Sequence, residues 1–139
     1  MQIYASCAAR NGAGLLLLGP PGAGKSDMVL RLLDHGFVLV ADDRVDIKDG
    51  FARPPAELAG LLEVRGLGIV RLPHAAPTRL RLVVALGPAP IRLPDPAIHD
   101  ALGLPLIVID PTRASAGQQA AMALDCALGR VPQVAGAFA

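Results

Sequence analysis

The octapeptide Gly19-Pro20-Pro21-Gly22-Ala23-Gly24-Lys25-Ser26 constrains the fold of this chain more than any other stretch. It satisfies the pattern G-x-x-x-x-G-K-[ST] at every specified position. That pattern requires a strand before it and a helix after it, and both are predicted. Leu15 to Leu18 form a short apolar run that reads as a buried strand. From Asp27 to His35 the spacing is helical: Met28, Val29, Leu32 and Leu33 share one face, and Asp27, Arg31 and Asp34 fall off it. Gly36 is placed to stop that helix. The rival, a Gly/Pro-rich turn that matches by chance, does not account for these flanks.

The residue types follow from what such a loop has to do. Glycines let the backbone take positive φ and come close to a phosphate. Successive N–H groups then point inward as an anion nest, and the helix that follows adds the positive end of its dipole. Lys25 reaches outer phosphates, and the Ser26 hydroxyl can ligate Mg²⁺. The candidate nucleotide-contacting set is therefore Gly19, Pro20, Pro21, Gly22, Ala23, Gly24, Lys25, Ser26 and the adjoining Asp27.

Composition narrows the setting. The chain has 139 residues, enough for one domain with a real core. Hydrophobic residues make up 53% but aromatics only 3%, so aliphatic side chains must fill the core. A net charge of +1 supplies no basic field for nucleic acid or an anionic membrane, so neither is an expected partner. Cys7 and Cys126 have no metal-type spacing, and the three histidines, His35, His74 and His99, lie in unrelated segments. No stretch approaches the roughly 20 apolar residues of a membrane span, and without a basic region followed by an apolar core no secretion signal is expected. The expected location is the cytoplasm. A single domain over residues 1–130 is expected, with a mobile tail over 131–139.

Along the chain, Gln2 to Ala9 reads as one strand, joined through Asn11-Gly12 to Leu15–Leu18 as a hairpin. Phe37 to Ala41 is a further apolar strand that ends in Asp42-Asp43. Carboxylates delivered at the end of a buried strand suit the second half of a nucleotide site, where Asp holds Mg²⁺ or its waters. Neighbours on a strand point opposite ways. One aspartate can therefore meet the metal or the reacting oxygen while the other makes a supporting contact. Arg44 to Lys48 continues as a strand, Asp49-Gly50 signals a turn, and Pro55 opens a short helical turn through Leu58.

Leu61 to Val70 is the third informative stretch. Glu63 and Arg65 are two apart and share a strand face, with Leu62 and Val64 on the other. Opposite charges in so apolar a stretch need a partner. A Mg²⁺–triphosphate satisfies both, the carboxylate taking metal and the guanidinium taking phosphate. The alternative is a plain ion pair between the two. Thr78 to Leu86 alternates as a half-buried strand, with Leu80, Leu82 and Val84 on one face. Gly87 to Pro96 is a proline-rich loop, Leu104 to Ile109 a last strand. Ser115 is a cap for a C-terminal helix with Ala120, Ala121, Leu124 and Leu128 on its apolar face.

Taken together, Gly19 to Asp27 (GPPGAGKSD), Leu39 to Val45 (LVADDRV) and Leu61 to Ile69 (LLEVRGLGI) resemble the bacterial HPr kinase/phosphorylase family. The resemblance runs from about Ile3 to Asp110 and corresponds to that family's C-terminal catalytic domain, as in short forms without the N-terminal domain. It implies an α/β fold with a mixed sheet around the phosphate loop, similar to the nucleotide domain of phosphoenolpyruvate carboxykinases. It implies ATP and Mg²⁺ as cofactors and, as substrate, a serine of HPr or a paralogous carrier protein of the sugar phosphotransferase system. Many members of the family also remove that phosphate with inorganic phosphate. An oligomer is compatible with the resemblance.

By position, the resemblance makes Lys25 the phosphate-loop lysine, and Ser26, Glu63 and Asp43 the Mg²⁺ ligands. Asp42 and Asp43 become the aspartate pair that holds the catalytic base, with no choice between them. Arg65 and Arg92 become catalytic arginines. The family typically has histidine where this chain has Tyr4, which implies a bias toward the kinase direction if Tyr4 lies at the end of the strand feeding the loop. Asp110-Pro111-Thr112-Arg113 echoes the segment linked to the phosphorylase reaction. A second reading is a nucleotide-binding regulatory module with little or no transfer activity, contacting a carrier protein or a sensor kinase.

Overall fold

The computed structural model describes residues 1–89 and 91–139. Pro90, within the expected proline-rich loop, lies outside the described residues. The chain starts with β1 (Gln2–Tyr4), β2 (Ser6–Arg10) and β3 (Ala13–Leu18), followed by helix α1 (Lys25–Leu33). Then come β4 (Val38–Ala41), β5 (Arg44–Lys48), β6 (Phe51–Arg53) and a single 3₁₀ turn over Ala56–Leu58. A hairpin of β7 (Leu61–Val64) and β8 (Gly68–Arg71) precedes the long β9 (Thr78–Leu86). The last elements are β10 (Ile98–His99), β11 (Leu104–Ile109) and helix α2 (Ala116–Ala127).

The turns expected at Asn11-Gly12 and Asp49-Gly50 form, and all four residues have positive φ, the conformation of a type I′ hairpin. β2 lies between β3 and β4 and is antiparallel to both. β3 and β4 therefore run the same way, and their C-terminal ends meet the start of β2 at one edge of the sheet. β3 is parallel to β9, and β9 is parallel to β11 over Leu106↔Val83 to Ile109↔Leu86. The sheet is mixed, and this edge collects the carboxyl ends of its parallel strands, where open α/β sheets bind ligands.

Period-2 alternation distributes the aliphatic residues to two cores. Leu15 and Leu17 join Met28, Val29 and Leu32 of α1 and Leu124 of α2 on one side. Leu16 faces the other side with Cys7, Val40 and Val83, and the inward residues Val45, Ile47 and Ala52 of the β5–β6 hairpin cover them. Replacing a fully buried leucine such as Leu16 by alanine is expected to cost about 2–5 kcal/mol. Burial also pushes the Cys7 thiol up to about 12, because the thiolate would lose its water.

Several expectations need correction. The strand read over Gln2 to Ala9 breaks at Ala5, whose N–H donates to the Asp43 carbonyl at 3.1 Å. β1 then pairs with β5, not with β3, with Tyr4 opposite Arg44. The alternation read for Thr78 to Leu86 also fails midway. Pairing jumps from Gly14↔Leu80 to Leu15↔Leu82, so Arg81 is an extra residue. Such a bulge shifts the phase of the strand. Leu80 therefore faces one core while Leu82 and Val84 face the other. The Ser115 hydroxyl accepts from the Gln119 amide at 2.9 Å and makes no backbone cap. Where a mobile tail was expected over 131–139, Ala137 is buried and Phe138 packs against the larger core. The Phe138 N–H donates to Gln133 Oε1 at 2.6 Å.

Arg10, at the end of β2, ties sheet to helices. Its guanidinium donates to the His35 carbonyl at 3.0 Å, the Ala121 carbonyl at 3.3 Å and Asp125 Oδ1 at 2.8 Å. It also lies over the Phe37 ring, 4.8 Å from the centroid. No described helix is long and apolar enough to cross a membrane.

Candidate functional site

At the shared edge of β3 and β4 the backbone of residues 19–24 curls before α1 begins at Lys25. Gly22 and Gly24 have φ of +82° and +98°, which a side chain would strain. A Cβ at Gly22 would meet nothing within 4 Å, so that glycine serves the backbone conformation and not tight packing. Lys25 Nζ folds back over the loop and donates to the Gly19 carbonyl at 2.7 Å and the Pro20 carbonyl at 3.2 Å. Asp27, in the first turn of the helix, pairs with Arg31 at 2.8 Å and also lines the cleft described below.

β4 delivers the two aspartates to different places. Asp42 is buried and is held by three donors. Ser26 Oγ lies 2.8 and 2.9 Å from its two carboxylate oxygens, Ser6 Oγ donates at 2.6 Å, and the Glu63 N–H at 3.3 Å. Asp43 has φ of +70°, a left-handed conformation that turns the chain. Its side chain is 70% exposed and lies 3.8 Å from Arg44 Nε. The aspartate in contact with Ser26 is thus Asp42, while Asp43 is exposed at the cleft wall beside Arg44.

These groups border one cleft of about 480 Å³, which Ser6, Lys25, Ser26, Asp43, Glu63 and Arg65 all line. Four segments distant in sequence supply them: the start of β2, the phosphate-loop pattern, the end of β4 and the β7–β8 hairpin. Glu63 lies on β7, but Arg65 belongs to the turn and not to the strand expected to carry both. Leu62 is buried and Val64 packs against the core, so the inward face of β7 is the expected one. Among the described residues no ion pair joins Glu63 to Arg65.

Ser6 is the residue that sequence reasoning missed. It sits in a run of small residues, Ala-Ser-Cys-Ala-Ala, and its partner is 36 positions away. Tyr4, by contrast, is 77% exposed on β1 and is outside the cleft lining, because the break at Ala5 carries it to β5. Arg92 is also elsewhere. It lines a larger cavity of about 710 Å³ with Ile107, Met122, Cys126 and Phe138, whose walls contain no carboxylate. The carboxylates Asp43 and Glu63 line the smaller cleft.

The turn after β11 abuts the loop: a Cβ on Gly24 would lie 3.9 Å from Pro111 Cβ. Just before it, Asp110 accepts from Thr112 Oγ1 at 2.6 Å and Thr112 N at 2.9 Å. These hydrogen bonds, the hydroxyl's first, hold its carboxyl below the usual range, with the nearby Arg113 charge adding to them.

Residues 1–75 match the family described as HPr Serine kinase C-terminal domain. The HPr kinase/phosphorylase of Clostridium novyi is 50% identical over 66 residues, covering 45% of this chain and 22% of that protein. That of Malacoplasma penetrans is 43% identical over 63 residues, 42% of this chain and 21% of that protein. The chain thus matches about a fifth of the length of these relatives. The fold likeness extends further. The structure of the HPr(Ser) kinase/phosphatase from Coxiella burnetii superposes with a TM-score of 0.74 at 22% identity, covering 94% of this chain and 92% of that one. The family match takes in the loop, both aspartates and the β7–β8 hairpin, and stops before Arg92. With more than half its length matched and the same mixed-sheet fold, the chain belongs to the HPr serine kinase C-terminal domain family.

Proposed function

We propose that this domain transfers the γ-phosphoryl group of ATP to a serine of HPr or a paralogous phosphocarrier protein, in a Mg²⁺-dependent reaction. The observation that carries the reading is the contact of the Ser26 hydroxyl with both oxygens of Asp42, in a cleft shared with Lys25, Asp43 and Glu63. Family membership supports the kinase-type activity.

The side chains fit the cofactors. Mg²⁺ prefers oxygen donors, takes one or two carboxylates and keeps its remaining positions for phosphate and water. Ser26 and Glu63 are such donors. Because the Ser26 hydroxyl donates its hydrogen bond to Asp42, a lone pair of its oxygen is left for a cation. When bound, Mg²⁺ would draw charge from the β- and γ-phosphate oxygens.

The residues then divide the work. Backbone N–H groups of the loop and Lys25 hold the triphosphate, which requires Lys25 to leave the Gly19 and Pro20 carbonyls. Asp42, fully engaged by Ser6, Ser26 and the Glu63 N–H, orients the metal ligand. Asp43, exposed and free of such donors, takes the proton of the acceptor serine as its oxygen attacks phosphorus and the bond to the ADP oxygen breaks. Arg65 neutralises charge on the transferring group. Most of the acceleration comes from positioning and electrostatics.

The test is incubation of the purified chain with ATP, Mg²⁺ and the host's HPr-like carrier, followed by mass spectrometry of the carrier. Gain of one phosphoryl group on a serine is expected. ATP binding with no transfer would replace the kinase reading by that of a nucleotide-binding module.

A further inference from the structure

The Nε of Arg44 is buried without a hydrogen-bond partner, the one such side-chain nitrogen or oxygen among the described residues. An unpaired buried N–H is costly, and native structures keep few of them without a reason. Arg44 is not loosely placed. It opens β5, its backbone N–H donates to the Asp42 carbonyl at 2.8 Å, and it pairs with Tyr4 of β1. Beside it lies Asp43, whose Oδ2 is 3.8 Å from that Nε, close enough for an ion pair and too far for a hydrogen bond.

Asp43 has a matching vacancy. The donors at the end of β4, which are the Ser6 and Ser26 hydroxyls and the Glu63 N–H, all go to Asp42. Among the described residues, Arg44 is the only group that an ion pair or hydrogen bond connects to the Asp43 carboxylate. The Asp43 backbone is fixed, with φ of +70° and its carbonyl accepting from the Ala5 N–H at 3.1 Å. Its side chain borders the cleft and is mostly exposed, so rotation about its own bonds is what remains adjustable. A donor that solvent does not reach, facing a carboxylate that no other donor holds, selects one orientation. Closing the gap by roughly 1 Å gives a charge-assisted hydrogen bond of about 2.7–2.9 Å. One oxygen is then anchored on Arg44, and the other is left for a proton arriving from the cleft.

We propose that Arg44 is a positioning residue for Asp43, anchoring one carboxylate oxygen so that the other faces the acceptor hydroxyl. The role of Asp43 as base is that of the kinase reading, on which this inference rests. Arg44 is outside the cleft lining, so it acts through Asp43 and not on the nucleotide.

Arg44→Met keeps an apolar stem and removes both the charge and the unpaired donor. A residue that served the fold would lower the urea midpoint when replaced. An anchor for Asp43 leaves the midpoint unchanged or raises it, because a buried donor without a partner is gone. Carrier phosphorylation should lose about 10–100-fold in kcat, the scale for a group misplaced by about 1 Å, with KM for ATP unchanged. Arg44→Lys, which keeps the charge, should recover part of the loss. In an Asp43→Asn background, Arg44→Met should lower kcat no further, since the two side chains act as one unit. A readout without turnover is the arginine Nε–H spectrum of the ¹⁵N-labelled chain. The Arg44 signal, assigned by its absence from Arg44→Met, should move in Asp43→Asn. A signal that stays in place overturns the proposal, as does an active wild type whose kcat Arg44→Met leaves unchanged. So does an equal kcat loss with and without Asp43, or a joint fall of kcat and urea midpoint. If wild type transfers nothing to the carrier while the signal still moves in Asp43→Asn, the kinase reading falls and Arg44 remains the residue that orients Asp43.

Discussion

Ser6 and Asp42 share a buried hydrogen bond of 2.6 Å that joins the first residue of β2 to the residue just past β4. It forms because β2 runs antiparallel between β3 and β4, so its start lies where their ends do. With Ser26 on the other side, the Asp42 carboxylate is fixed by two hydroxyls from different elements.

Ser6→Ala removes a fully buried donor to a carboxylate. A hydrogen bond to a charged group is worth about 1.5–3 kcal/mol, and urea unfolding should show a loss of that size. Asp42 then holds Ser26 less firmly. ATP affinity measured with Mg²⁺ should fall, while affinity measured with EDTA present stays the same. Equal losses under both conditions would mean that the substitution disturbs the loop as a whole.

Lys25→Ala should weaken ATP binding by about 1.5–3 kcal/mol, the worth of a charge-assisted contact to phosphate. The fold should survive, because the lysine reaches only the Gly19 and Pro20 carbonyls, which water can serve in its absence. Thermal melts beside nucleotide titrations separate the two effects. Unchanged ATP affinity would remove Lys25 from the site.

Arg10→Ala should destabilise without touching the nucleotide. It frees the Asp125 carboxylate and two carbonyls, those of His35 and Ala121, in a partly buried setting. A loss of about 1.5–3 kcal/mol in urea unfolding is expected. Arg10→Lys should recover only part of it, since an ammonium cannot bridge three acceptors as a guanidinium does. ATP affinity should match wild type in both variants.

Much of the site was legible because its signals are local. The loop pattern, the strand ahead of it and the helix face of Met28, Val29 and Leu32 lie within adjoining residues, and so does the Asp42-Asp43 pair. What sequence could not give depends on pairing across the sheet. Tyr4 looks continuous with Ser6 until β1 leaves for β5. Arg81 looks like one more alternating residue until the register with β3 skips it. Ser6 has no neighbour that marks it, since its partner arrives from 36 residues away. The division of labour between the two aspartates was equally hidden, because it rests on the φ of +70° that turns Asp43 out of the strand.

That backbone conformation makes Asp43 testable in a way that separates chemistry from folding. Asn and Asp enter the left-handed region far more readily than most residues, whereas alanine there costs about 1–2 kcal/mol. Asp43→Asn should therefore keep the fold and the ATP affinity, and lose transfer to the carrier by about 10²–10⁴-fold, the range for a removed general base. Asp43→Ala should lose the same activity and also about 1–2 kcal/mol of stability, from backbone strain alone. Asp42→Asn should behave in the opposite sense. Its amide nitrogen would face donors from Ser6, Ser26 and the Glu63 N–H, so stability and Mg²⁺-dependent ATP binding should fall together. If Asp43→Asn retains full transfer while Asp42→Asn abolishes it with normal stability and ATP binding, the roles are reversed, and the buried carboxylate is the base.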